Sequence, residues 1–170
     1  TTSLGSAKLN WTKKLAAHLK ISKKLRLGLA DTPVLDETAI EQIAVDSENF
    51  LLIACPPDSA DTTTDTGEVQ ITECQAKSGP KAIADAIVQN QTTDVPIVAA
   101  EIQDVVRAEV DATAESIAEN TALSEAETSK LYAEQATAVI AAAGDTGLTG
   151  QDLIDTVQAG TSEIAAQGSA

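Results

Sequence analysis

The spacing of apolar residues changes several times along the chain, and each change predicts a different element. Trp11, Leu15 and Leu19 step by four and make one stripe of a short helix, with Ala16 beside it and Lys13, Lys14 and Lys20 turned away. Asn10 suits the N-cap. From Ile21 the period shortens: Leu25, Leu27 and Leu29 alternate with Lys24, Arg26 and Gly28, as in a half-buried strand. Thr32-Pro33 breaks the chain, and Asp36 caps a second helix through a staple between Leu35 and Ile40. Ile40, Ile43 and Ala44 give that helix an apolar side to about residue 46.

The most apolar run, Phe50 to Cys55, then predicts a buried strand ended by Pro56-Pro57. Between Glu68 and Cys74, Val69 and Ile71 alternate with Gln70 and Thr72 and predict its partner, giving a β-hairpin over about 48–75. Its long tip, 58–67, holds Asp, Thr, Ser, Ala and Gly alone, the composition of an exposed loop.

Everything after Ser78 reads as helix. Gly79-Pro80 opens one with Ile83, Ile87 and Val88 inward, ending near Asn90. Asp94-Val95-Pro96 opens a longer one in which Val98, Ile102, Val106, Val110, Ala114 and Ile117 recur every three or four residues. Ser124 and Glu127 form a capping box for the next, with Leu131, Ala138 and Val139 inward and Gly144 at its close. Thr149 to Asp152 resembles the same device. Leu153, Ile154 and Val157 face in, Gly160 ends the helix, and the tail frays. No repeat at solenoid period and no heptad coiled coil is present. The fold class expected is therefore α+β and mostly helical: about five helices packed with a small β-hairpin, plus a basic helix/strand arm at the N-terminus.

Composition changes this picture in two ways. Of 170 residues 43% are hydrophobic, yet only Trp11, Phe50 and Tyr132 are aromatic, so the core must rest on close aliphatic and alanine contacts between helices. The second change is in charge. Residues 1–30 hold Lys8, Lys13, Lys14, Lys20, Lys23, Lys24 and Arg26 and no acid, whereas residues 31–170 carry all 26 acids against Lys77, Lys81, Arg107 and Lys130, a net of −22. This divides the chain into a basic amphipathic arm, 1–30, and an acidic α-rich body, 31–170. Such asymmetry marks either an ordinary N-terminal element whose lysines are solvated, or an arm for an acidic protein surface, nucleic acid or anionic lipid. The arm's apolar stripe favours packing on protein. The acidic body repels phosphate within a Debye length, and the helical part is short for an interfacial anchor.

Candidate chemistry is sparse. Cys55 and Cys74 flank the acidic loop and form either a disulfide, implying an oxidising compartment, or a pair of buried thiols. His18 is the one histidine, so neither a Cys/His zinc site nor a nucleophile–base pair is assembled, and no phosphate loop or dinucleotide fingerprint occurs. Asp58, Asp61 and Asp65 invite calcium, but their spacing does not meet an EF-hand loop. The many acids read as solvated helix faces. Asn10-Trp11-Thr12 and Asn90-Gln91-Thr92 match the glycosylation triplet, which matters only for a secreted chain. The start at Thr1-Thr2-Ser3 fits loss of an initiator methionine or of a leader peptide. No apolar run spans a bilayer.

The expectation that follows is a non-enzymatic structural subunit without metal or cofactor, in a homo-oligomeric virion shell, tube or surface filament rather than in the cytoplasm. Its docking arm is Lys8, Trp11, Lys13, Lys14, Leu15, Leu19, Lys20, Lys23, Lys24 and Arg26. The alternative is a binding module whose arm meets nucleic acid or an anionic surface.

Overall fold

The computed structural model describes residues 11–21, 37–54, 65–91, 99–119 and 123–168, and every regular element among them is helical. The described residues form six helices: α1 (11–21), α2 (Glu37–Ala54), α3 (Asp65–Asn90), α4 (Ala99–Glu119), α5 (Glu125–Ala143) and α6 (Gly150–Gly168). No helix among the described residues is long and apolar enough to cross a membrane.

The expected α+β class is overturned, because both strands of the predicted hairpin are helical where they are described. Phe50 to Ala54 belongs to the end of α2. The three-and-four spacing of Ile40, Ile43, Ser47 and Leu51 runs straight through this apolar run. Only one side of the run is inside: Leu51 is buried, whereas Ile53 is 75% exposed. The segment from Glu68 to Cys74 lies in the first part of α3, which continues unbroken through Gly79 and Pro80 to Asn90. Pro80 therefore does not open a helix. A proline inside a helix forfeits one backbone hydrogen bond and costs about 3 kcal/mol, but here Gly79 and Pro80 are both buried in the bundle and Ile83 and Ile87 are carried inward behind them. In place of a β-hairpin, α2 and α3 form an antiparallel helical pair. Asn90 Nδ2 donates to Asp46 Oδ2 (2.8 Å) near one end, and Cys74 Sγ sits 3.8 Å from the Ala54 carbonyl oxygen at the other. The predicted strand at Leu25–Leu29 and the acidic loop residues 58–64 lie outside the described residues.

The other helices form two stacked antiparallel pairs, α3 with α4 and α5 with α6. α3 lies against α5, and α4 against α6. These cross-pair neighbours run parallel: Lys77 and Lys81 of α3 reach Glu134 and, beyond the end of α5, Asp145 (3.8 and 3.7 Å). Ile102, Val106, Val110, Ala114 and Ile117 of α4 are all inside, as their period requires. α5 starts with a capping box: Ser124 Oγ accepts the Glu127 N–H (3.1 Å) and Glu127 Oε1 accepts the Ser124 N–H (3.0 Å). Gly144 closes that helix, in ordinary right-handed geometry.

Three predictions for α6 are corrected. Ile154, expected to face in, is 51% exposed. The helix does not stop at Gly160 or fray from Thr161, but runs to Gly168 with Ile164 buried. At Gly160, α6 passes close to Val139 of α5 and Val106 of α4. A Cβ there would sit 2.4 Å from Val139 Cγ1 and 2.8 Å from Val106 Cγ1. The glycine is thus a packing notch rather than a stop signal.

α2 packs on α3 alone among α3–α6. Helix α1 joins it to the rest. Its Trp11, Leu15 and Leu19 are buried in the same core cluster as Ile40, Ile43 and Leu51 of α2, Ile83 and Ile87 of α3, and Ile102 and Val105 of α4.

Candidate functional site

The residues that combine burial, charge and chemistry gather beneath and beside α1. Trp11 begins α1 with no exposed surface, and its indole N–H donates to Thr113 Oγ1 at 3.0 Å. Buried tryptophan ordinarily finds such an acceptor. Thr113 donates in turn to Glu109 Oε2 at 2.6 Å, one turn back on α4. Gln135 of α5 reaches the same carboxyl from the other side, with Nε2 at 3.3 and 3.4 Å from its two oxygens. Gly79 completes the chamber: a Cβ would stand 2.6 Å from Glu109 Oε2 and 3.5 Å from Trp11 Cζ2, so glycine leaves room for both side chains.

Glu109 has no exposed surface, and burial, opposed by the hydrogen bonds from Thr113 and Gln135, raises its pKa from 4.5 to about 8. At neutral pH it is mostly the neutral acid, which needs an acceptor for its O–H. The Gln135 amide oxygen has no hydrogen-bond partner, and turning that amide end for end supplies the acceptor. The carboxyl is sealed beneath Trp11, so it orders the junction of α1, α3, α4 and α5 rather than meeting solvent.

On the rim of the same seat, His18 Nε2 lies 2.8 Å from Glu115 Oε1, and Nδ1 lies 3.8 Å from Asp111 Oδ2. Gln167 of α6 donates to Asp111 Oδ1 at 2.8 Å. Glu163, one turn before it, hydrogen-bonds to Asp111. That bond, burial and the Asp111 charge raise the Glu163 pKa to about 7. Among the described residues no three His, Cys, Asp or Glu side chains are placed to hold a metal.

Of the arm residues expected to dock, Trp11, Leu15 and Leu19 are buried in their own chain's core. Lys13 is exposed, Lys14 is half-buried, and Lys20 comes within 3.7 Å of Glu41 on α2. Lys8, Lys23, Lys24 and Arg26 lie outside the described residues. Cys74 is disulfide-bonded, and the chain's other cysteine, Cys55, also lies outside them. Asp58 and Asp61 of the candidate calcium loop do too, while Asp65 opens α3.

Sequence reasoning missed Glu109 and the partners of His18. The signal for Glu109 was its phase: Ile102, Val106, Glu109, Thr113 and Ile117 keep one inward spacing, and the acid stands in a core position. His18 gave none, because its partners are 93 and 97 residues away on α4.

A separate open groove of about 220 Å³ lies where the end of α2 meets α3, with Phe50, Ile53, Ala54 and Ala82 on its apolar side and Lys77 and Lys81 among its polar residues. It is smaller than the ~300–1,000 Å³ of ordinary ligand pockets. Both lysines pair with acids, Lys77 with Glu73 and Glu134, Lys81 with Asp85 and Asp145.

Compared with family models, curated proteins and solved structures, the chain matches none.

Proposed function

We propose that the chain is the structural subunit of a homo-oligomeric assembly, with its basic arm anchored on its own body by α1 and its cations directed to acidic faces of neighbouring copies. A virion shell, tube or surface filament is the kind of assembly this fits. The observation that carries the reading is the division of labour within α1. Its apolar stripe is spent inside the core, while Lys13 is exposed and Lys20 reaches an acid at the surface. Lys8, Lys23, Lys24 and Arg26 flank this fixed point in sequence, opposite a body of net charge −22. The burial of Trp11 weighs against nucleic acid as the arm's partner, because it removes the arm's one aromatic platform for base stacking.

Deleting the arm would also delete core residues, so charge reversal is the cleaner test. Size-exclusion chromatography with light scattering is run on the full chain and on a Lys13→Glu/Lys23→Glu/Lys24→Glu variant, at low and high salt. The reading expects an oligomer that dissociates with salt and fails to form in the variant. A monomer indifferent to both would overturn it. Anisotropy of a labelled oligonucleotide covers the rival: binding that weakens steeply with salt would favour it.

A further inference from the structure

α2 lies at the edge of the bundle. It packs on α3 alone among α3–α6, with α1 on its other flank, where Lys20 meets Glu41. The side between these flanks is turned away from the core. Five exposed residues mark it at steps of three or four: Thr38, Gln42, Val45, Asn49 and Ile53. None of them is charged, although the chain holds 26 acids. Asp46 is withdrawn from this side, buried and accepting from Gln42 Nε2 and Asn90 Nδ2 at 2.9 and 2.8 Å. Ile53 is the most exposed large apolar side chain among the described residues. It stands at the edge of the open groove of about 220 Å³ that Phe50, Ala54, Ser78 and Ala82 also line.

We propose that this patch is a two-fold contact with a second copy of the chain, in which Ile53 of each copy enters the groove of the other. A protruding side chain and an open hollow adjoin on one surface. Such a surface is complementary to itself, which is what an isologous pair requires. A knob and a hollow on separate faces would build an open chain of copies instead.

The charges select the same occupant. The groove's lysines are matched within their own chain, Lys77 by Glu73 and Glu134, and Lys81 by Asp85 and Asp145, all within 3.8 Å. A polyanion or an acidic peptide finds two carboxylates there for each ammonium group, and a basic partner must set its cations against both lysines. Two chains of net charge −15 can close through an apolar contact only where their acids stay outside it. The uncharged stripe of α2 meets that condition. This contact goes beyond the arm contact proposed above and differs from it physically. Opposite charges hold the arm and weaken with salt, whereas an apolar contact does not.

Sedimentation velocity over a range of protein concentrations separates the two. At ~1 M salt the Debye length falls to about 3 Å, and the full chain should remain a dimer, as should its Lys13→Glu/Lys23→Glu/Lys24→Glu variant. Ile53→Lys should weaken that dimer roughly 30-fold or more, the loss expected of a central apolar anchor. Ala54→Phe, which fills the hollow, should weaken it too. Both positions are exposed, so far-UV circular dichroism should be unchanged. Ile140→Lys, at an exposed position of α5, should leave the dimer intact. A chain that is monomeric at ~1 M salt at every concentration would overturn the proposal. So would a dimer that Ile53→Lys leaves unchanged, or that Ile140→Lys weakens as much. A salt-sensitive assembly that dissociates directly to monomers would overturn this contact and leave the arm contact standing. A dimer indifferent to salt and to arm charge, with nothing larger, would support this contact and overturn that of the arm.

Discussion

Replacing Glu109 by glutamine preserves the shape of the buried network and removes the one proton that Glu109 can lose. In the folded chain this carboxyl keeps its proton up to about 8, against 4.5 for a glutamate in water. Between these values the native state holds a proton that the unfolded state has released. Stability therefore falls as pH rises through the interval, levels off above about 8, and is unaffected by this group well below 4.5. At about 1.4 kcal/mol per pKa unit, the cost of holding the acid inside is on the order of 3 kcal/mol at pH 7 and ~5 kcal/mol at pH 9. Between pH 5 and pH 9 the wild-type chain should lose about 4 kcal/mol from this group, with a smaller loss of the same sign from Glu163, which is partly exposed. Urea unfolding at pH 5, 7 and 9, followed by circular dichroism, measures it. With a slope of about 2 kcal/mol per molar urea, the wild-type midpoint should fall by roughly 2 M, and that of Glu109→Gln by much less. At pH 9 the variant should be the more stable protein. Wild-type stability that is flat or rises from pH 5 to pH 9 would refute the reasoning, as would a variant that keeps the full slope.

Other predictions concern packing, capping and the disulfide. Gly160→Ala should destabilise by about 1–3 kcal/mol, because its Cβ would fall within 2.8 Å of two valine methyl groups. Gly144→Ala, whose Cβ meets nothing nearer than 3.5 Å and whose φ is −68°, should be neutral or slightly stabilising. Thermal melts of the pair decide whether close approach or helix propensity governs these glycines. Ser124→Ala removes one half of the capping box at α5 and should cost about 1 kcal/mol in the same assay. Non-reducing peptide mapping should recover Cys74 linked to Cys55, and reduction should lower stability by about 2–4 kcal/mol. Free thiols at both positions would contradict this.

Much of the helical layout was legible from spacing and caps alone. The step from Ile102 to Ile117 gave α4, and Ser124 with Glu127 gave the start of α5. What misled was local and has physical causes. Phe50 to Ile53 is apolar on every side, and a run that short has no period of its own. Its helical register comes from Ile40, Ile43 and Ser47 upstream. Val69 and Ile71 offered one repeat of alternation, too little to outweigh the rest of α3, which continues from Ala76 to Asn90. Pro80 and Gly160 are helix breakers by propensity, but here burial and close helix crossing override them.

The site was readable in part. The Trp11, Leu15 and Leu19 stripe announced a face that packs and left open whether it packs within the chain or between copies; it is buried in its own chain's core. Glu109 was hidden by the abundance of acids, because a carboxylate in an acidic chain reads as solvated unless its phase is checked against the core positions around it. The pairing of His18 with Asp111 and Glu115 depends on tertiary contacts that no local pattern encodes.

The central claim is that the basic N-terminal helix is a core element of an all-helical bundle rather than a loose arm. Amide hydrogen exchange of the full chain at pH 6 tests it most directly. Residues 15–21, whose amides are bonded within α1, should be protected to a degree comparable with the interior of α4, since Trp11 and Leu15 share its core. Exchange of those amides at the rate of an unstructured peptide, while α3 to α6 stay protected, would contradict it.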